Sequence, residues 1–362
     1  MAFAVVTAQA QRQPMVVAYL FPQDMKLTPD QVNAGALTRI NYAFANIQDG
    51  RMVMGFKYDA ENFATLNALK TQNPQLTVLI SVGGWLWSGG FSDAALTAQS
   101  RAVFIDSVMD FLDRYHLDGL DIDWEFPGMA GAGHKFRAED KQNFTLLLAE
   151  LRKRFDEQTR QTGKRLYLTF AAGSGPEFVA NTEMKKIARL VDTVNLMAYD
   201  FYEPGSAPNT GHHAPLYNNP ADPHKASADI SVRVLEDAGV PAEKILLGVP
   251  FYGHTWGEVP ATAHGLFQPG KQVGNPLTPY SRIVSRMLGN GFTRYWDPVS
   301  DVPYLYNEDR KIFVSYEDPE SIAIKGRYVL KNKLAGMMFW SYEADSNGAL
   351  LNAVDKALGK DQ

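Results

Sequence analysis

The 362-residue sequence predicts an α/β protein built as a closed (β/α)8 barrel of the TIM type, with a small α+β insertion between its seventh strand and seventh helix. Three observations predict it. Apolar, β-branched or aromatic runs alternate with stretches of helical periodicity, the runs number eight, and one interval is far longer than a single helix needs.

The runs are MVVAYL (15–20), RINYAFANI (39–47), LTVLISVGG (76–84), LDGLDIDWE (117–125), LYLTFAAG (166–173), DTVNLMAY (192–199), KILLGVPF (244–251) and LAGMMFWSY (334–342). Between them, 93–115 places Phe104, Val108, Phe111, Leu112 and Tyr115 on one helical face. Residues 60–72, 138–161, 225–238 and 318–332 read as further helices. Roughly 80 residues separate the seventh run from the eighth, rich in aromatics and turn signals around a helix-like SRIVSRML. A structureless loop of that length is unusual, so 254–312 is expected to be an insertion domain, with 14–253 and 313–362 forming the barrel. Residues 1–13 read as a signal remnant or a frayed terminus, because AFAVVTAQA ends in a small-residue pattern but lacks a basic lead.

Composition narrows the function. Net charge of −5 argues against nucleic acid, which is held by clustered Lys and Arg. Zero Cys excludes a disulfide framework, a thiolate zinc site and a cysteine nucleophile. No apolar run of membrane-spanning length is present, so no membrane partner is expected. Aromatic residues at 12%, with 6 Trp and 16 Tyr, suit a neutral partner with flat faces, such as a sugar ring.

The segment DGLDIDWEFPG (118–128) carries the chemistry. Side chains alternate along a strand, so Asp121, Asp123 and Glu125 share one face and Leu120, Ile122 and Trp124 the other. With the apolar set packed outward, three carboxylates enter the barrel and Glu125 lies nearest the C-terminal rim, where barrel active sites form. Asp118 has the opposite parity and reads as structural. Like charges in a partly dry interior raise one another's pKa, so at least one acid holds a proton near neutrality. Such an acid suits protonation of a glycosidic oxygen. A hydrogen-bonded structural cluster, or one binding Mg2+ or Ca2+, is the alternative; three in-register acids ending at the rim favour catalysis. Asp123 and Glu125 stand on one strand, Cα atoms roughly 7 Å apart, and approach a ring from the same side. The attack on carbon must then come from elsewhere, and a 2-acetamido group on the sugar can supply it.

The pattern DGxDxDxE at Asp118, Gly119, Asp121, Asp123 and Glu125 resembles glycoside hydrolase family 18, the chitinases. SVGGW (81–85), NLMAYD (195–200) and MMFWSYEAD (337–345) are similar to that family's motifs, in its order. The resemblance implies that Glu125 is the acid and base, that Asp123 orients the acetamido group, that Asp121 shares a proton with Asp123 near Tyr19 and Ser81, and that Tyr199 donates to the acetamido oxygen. It further implies that Met197, Asp200 and Tyr252 line the pocket of the sugar being cleaved, Trp340 is its stacking floor with Phe44 beside it, and Trp85 stacks on the next sugar. Gly83 and Gly84 read as a tight strand exit or as room for a polymer, and Asp345 as a cap on the last loop. His254 stands where the family commonly has Arg, which puts its pocket role in doubt; Trp256 is a candidate to compensate by stacking. His212 and His213 have no third ligand at helical spacing, and no metal or cofactor is expected. The implied activity is hydrolysis of chitin or chito-oligosaccharides by a secreted, bacterial, monomeric enzyme. An endo-β-N-acetylglucosaminidase, a peptidoglycan glycosidase and a non-catalytic chitin-binding lectin are the rivals.

Overall fold

A computed structural model describes residues 13–359. The expected export remnant therefore lies, apart from Gln13, outside the described residues. The strands are β1 (Met15–Leu20), β2 (Arg39–Gln48), β3 (Arg51–Val53), β4 (Thr77–Gly83), β5 (Gly119–Asp123), β6 (Tyr167–Ala172), β7 (Thr193–Leu196), β8 (Ile245–Pro250), β9 (Tyr252–Gly257), β10 (Lys271–Pro279), β11 (Thr293–Asp297), β12 (Val302–Asn307), β13 (Ile312–Ser315) and β14 (Gly336–Trp340). Eight of them pair in parallel in the order β1-β14-β8-β7-β6-β5-β4-β2, and β1 also pairs with β2, which closes the barrel. Each expected run holds one barrel strand. The short β3 adds an antiparallel hairpin to the edge of β2 that the apolar pattern did not announce.

Closure follows from the composition of these strands. Their central residues are apolar and buried on both faces, the pattern of a parallel sheet covered by helices. The outward face packs on a helix ring that includes Ala98–Tyr115, Asp140–Thr162, Ala228–Asp237 and Pro319–Lys331. Asp118 is structural, as its parity implies: Oδ2 accepts from the Val78 amide at 2.8 Å, while Lys70 and Lys164 pair with the carboxylate. Among the described residues, no helix is long and apolar enough to cross a membrane.

Between β8 and the helix Pro319–Lys331 the chain forms a second sheet, antiparallel, in the order β10-β9-β13-β12-β11, with the helix Tyr280–Arg286 alongside. Its own core is Tyr202, Trp256, Val259, Tyr304, Tyr306 and Phe313. This sheet runs from Tyr252 to Ser315, slightly beyond both edges read from the sequence, because β9 starts one residue after β8 ends. A buried ion pair stands where the chain returns from the second sheet to the barrel: Lys325, on the helix Pro319–Lys331, meets Glu317, just after β13, and also donates to the Ala214 carbonyl at 2.6 Å. Both groups are fully buried, so each depends on the other to offset lost hydration.

Lys325→Met should therefore strand the Glu317 charge and cost about 3–5 kcal/mol of stability. Urea denaturation checks it, and the double variant Lys325→Met/Glu317→Leu should recover most of the loss.

Candidate functional site

The strand β5 places its side chains as the parity requires. Leu120, Ile122 and Trp124 are buried outward, with Trp124 stacked on Phe91 at 5.1 Å and set edge-on to Phe144 at 5.6 Å. Asp121 and Asp123 point into the barrel, and Glu125 follows at its mouth. Trp124 thus anchors the backbone from outside while its neighbours face the interior. A hydroxyl completes the fixing: the Glu125 amide donates to Ser88 Oγ at 2.9 Å, and Ser88 Oγ donates to the carbonyls of Gly84 and Asp123. The peptide bonds Ala43–Phe44, Glu125–Phe126 and Trp340–Ser341 are cis.

Asp121 is the hub of the interior. Register sets Ser81, Asp121 and Thr169 side by side on β4, β5 and β6. Tyr19 and Ser81 hydroxyls donate to Oδ2, both at 2.8 Å. Thr169 Oγ1 and Asn195 Nδ2 donate to Oδ1 at 2.6 and 2.9 Å. Four donors satisfy an ionised carboxylate. Burial pushes Asp121 up, while the bonds from Thr169, Ser81 and Tyr19 pull it back.

Asp123 has no such support. It is buried, and its Oδ1 has no hydrogen-bond partner. Burial, then the Glu125 charge, then the Asp121 charge hold it well above the carboxylate range. Glu125 is pushed up to about 8, by burial first and then by Asp200 and Glu203. The Asp123–Glu125 pair therefore carries a proton at neutral pH.

The mouth is completed by residues leaving other strands. Beyond β7 come Met197, Tyr199 and Asp200; β9 contributes Tyr252; β14 ends in Trp340. Burial and the charges of Asp123, Asp200 and Glu125 raise Tyr199 well above the phenol range, which keeps its proton available for donation. Trp340 stacks on Phe44 at 5.4 Å and 20°, with Phe21 at 5.4 Å and Tyr19 edge-on at 6.0 Å. Met197 joins this cluster. Trp85 is 51% exposed on the loop after β4, held by His134 Nε2 on its carbonyl at 2.7 Å.

Asp200 accepts from Tyr252 Oη at 2.7 Å and from His254 Nε2 at 2.8 Å, with His213 Nδ1 at 3.6 Å from the same oxygen. Burial raises Asp200, but His213 and His254 outweigh it and hold the carboxyl well below its usual range. His254 thus bonds the Asp200 carboxylate directly. The two adjacent histidines part company: His212 turns to Asp297 at 3.0 Å, and His213 faces Asp200. Trp256 cannot stack on a sugar: it shares the β9 face of Tyr252 and His254 but is fully buried farther along the strand, covered by Tyr202, Leu266 and Phe313 in the second sheet's core. Gly83 and Gly84 make room for the protein itself, since a Cβ would sit 2.2 Å from the Asp123 carbonyl and 2.7 Å from the Phe44 ring, respectively. Asp345 caps the final helix, accepting from the amides of Ala349, Leu350 and Leu351.

The sequence matches the model of the family described as Glycosyl hydrolases family 18 over residues 10–345. The chain belongs to glycoside hydrolase family 18. It is 42% identical to chitinase A1 of Niallia circulans over 327 residues, covering 84% of this chain and 46% of that protein's length. A family 18 N-acetylglucosaminidase from Paenibacillus barengoltzii shares its structure at a TM-score of 0.88 and 39% identity, over 95% of this chain and 99% of that one. Human YKL-39, described as a pseudo-chitinase with retained chitooligosaccharide binding properties, superposes at a TM-score of 0.86 with 27% identity, covering 96% and 100% of the two chains.

Several supporting residues of this family 18 site receive no role from the motifs. Thr169 and Asn195 complete the Asp121 shell, Ser88 pins Glu125, and Gly248 leaves space for Tyr199, whose ring lies 2.9 Å from where a Cβ would stand. The inward parity of Thr169 and Asn195 was readable; the reach of Ser88 from its loop was not. Asp121→Asn turns an amide NH2 toward donors that have no other use for it. It should cost about 1–3 kcal/mol in thermal denaturation.

Proposed function

We propose that this chain hydrolyses β-1,4 bonds between N-acetylglucosamine units of chitin and its oligomers by substrate-assisted, retaining catalysis. One observation carries the reading: a buried carboxylate oxygen of Asp123 lacks a partner beside a proton-bearing Glu125. An acetamido N–H is the donor that oxygen needs.

In this mechanism Glu125 gives its proton to the leaving glycosidic oxygen as the C–O bond breaks. The acetamido carbonyl oxygen bonds to the same carbon from the opposite face, forming a cyclic oxazolinium ion. Asp123 accepts the acetamido N–H and offsets the positive charge, while Tyr199 donates to the acetamido oxygen and fixes its aim. Asp121 supports Asp123 from below. Glu125, now a carboxylate, takes a proton from water, which opens the ring and restores the original configuration. Tyr252 and His254 hold Asp200 through its Oδ1. Trp340 supplies the floor for the sugar being cleaved, and exposed Trp85 a face for the next one.

The lectin alternative is disfavoured because Glu125 is retained, and the insertion sheet beside the cleft favours a linear polymer over an N-glycan core. Release of single N-acetylglucosamine units is a second reading, supported by the relative from Paenibacillus barengoltzii. Chitin lies outside cells, so an exported, monomeric enzyme accompanies this proposal.

Glu125→Gln should lower kcat roughly 10²–10⁴-fold while oligomer binding persists, measured by turnover and calorimetry. Retained turnover would overturn the assignment of the acid. Tyr199→Phe should lose about 10²-fold in kcat with oligomers. The acid must be protonated in the free enzyme, so kcat/KM should hold below pH 8 and fall as pH rises through about 8. Oligomers whose reacting unit is glucosamine, without the acetyl carbonyl, should not be cut; cleavage at the chitin rate would end the substrate-assisted reading. Product analysis on a chitin hexamer separates dimer from monomer release, and a high-mannose glycoprotein or peptidoglycan should remain intact.

A further inference from the structure

The proton-transfer scheme gives His213 and His254 no chemical part, yet both are buried and face one carboxylate. Their side chains are 1% and 2% exposed, and Asp200 is 35% exposed, so a small solute can reach the group only past Asp200. One ligand atom from each of the three residues lies within 4.8 Å of the others. Neither His213 nitrogen, nor His254 Nδ1, has a hydrogen-bond partner. Buried imidazole nitrogens left without partners beside a carboxylate are unusual to maintain unless something else binds there.

The donor set selects the ligand class. Two imidazoles and one carboxylate match three-ligand sites for zinc and similar ions, which leave a fourth position open. Mg2+ and Ca2+ demand six or more oxygens and fit poorly. Bonds of about 2.0–2.2 Å to a tetrahedral ion put ligand atoms roughly 3.3–3.5 Å apart. Here His254 Nε2 and His213 Nδ1 stand 2.8 and 3.6 Å from Asp200 Oδ1, and the three ligand atoms lie within 4.8 Å of one another, so side-chain shifts of about 1 Å admit the ion. The Nε2 proton of His254 must leave that nitrogen, and Nδ1 of the same ring is free to carry it. Tyr252 Oη also bonds the Asp200 Oδ1 that would hold the ion.

We propose that Asp200, His213 and His254 bind one divalent first-row transition metal ion, Zn2+ or Co2+, and that the bound ion competes with sugar by withdrawing Asp200 from the pocket. The competitive half rests on the sugar-pocket reading above; the binding half does not.

Calorimetric titration of the chelator-treated chain with ZnCl2 should give one equivalent with Kd on the order of micromolar. Co2+ should give the visible bands of a four-coordinate ion. His213→Asn and His254→Gln should each weaken binding about tenfold or more, whereas His264→Asn, in the turn between β9 and β10, should not. No saturable one-equivalent binding by the wild type, or variants that bind as tightly as it does, overturns the site. If either variant loses its far-UV circular dichroism, the wild-type Co2+ spectrum decides, and absence of four-coordinate bands overturns the proposal. In a Glu125→Gln background, saturating chitotetraose should weaken Zn2+ binding about tenfold. One-equivalent binding that the oligomer leaves untouched overturns the competition, and failure of that variant to bind oligomer at all overturns the sugar-pocket reading instead.

Discussion

Everything at the mouth depends on how one buried carboxylate is solvated. Asp121 draws donors from β1, β4, β6 and β7, so a single side chain ties half the barrel's strands to one point. Those donors are then spent. Two residues farther along the same strand, Asp123 finds none for its buried oxygen, and Glu125 beyond it feels Asp200 and Glu203 as well. Fixed dipoles compensate the deepest acid, and the compensation runs out toward solvent. A proton accumulates at the end of the series, where a ligand can use it.

Geometry at that end is set from outside the cavity. Trp124, wedged between Phe91 and Phe144, holds the strand exit, and Ser88 fixes the amide that follows. Glycines at 83 and 84 permit the two neighbouring strand ends to touch, and Gly248 gives Tyr199 its place. Each of these acts by shape, in a packed interior where the catalytic atoms tolerate little displacement. The aromatic group of Phe21, Phe44 and Trp340 does the same for the floor.

Much of this was legible in the sequence because strands write their periodicity directly into it. The eight runs each held a barrel strand, and alternation along 120–125 alone assigned every side chain of β5 to its face. Legibility ended where partners come from far along the chain. Ser88, Thr169 and Asn195 are ordinary polar residues until register brings them to Asp121 and Glu125. The grouping of Asp200, His213 and His254 is hidden for the same reason: they come from a strand exit, a loop and the second sheet, which helical spacing does not connect. Trp256 was misread because the residues that cover it, Tyr202, Leu266 and Phe313, come from distant parts of the chain.

The turn from β8 into β9 has a mechanical meaning. Only Phe251 separates β8 from β9, and it is immobilised face to face on Phe339 at 4.1 Å, its amide bonded to the Trp340 carbonyl at 2.7 Å. The second sheet therefore rises from the barrel as a rigid parapet with no slack at its foot. If the activity proposed above holds, a wall anchored in this way meets a long chain as a standing side of the trench rather than as a closing flap.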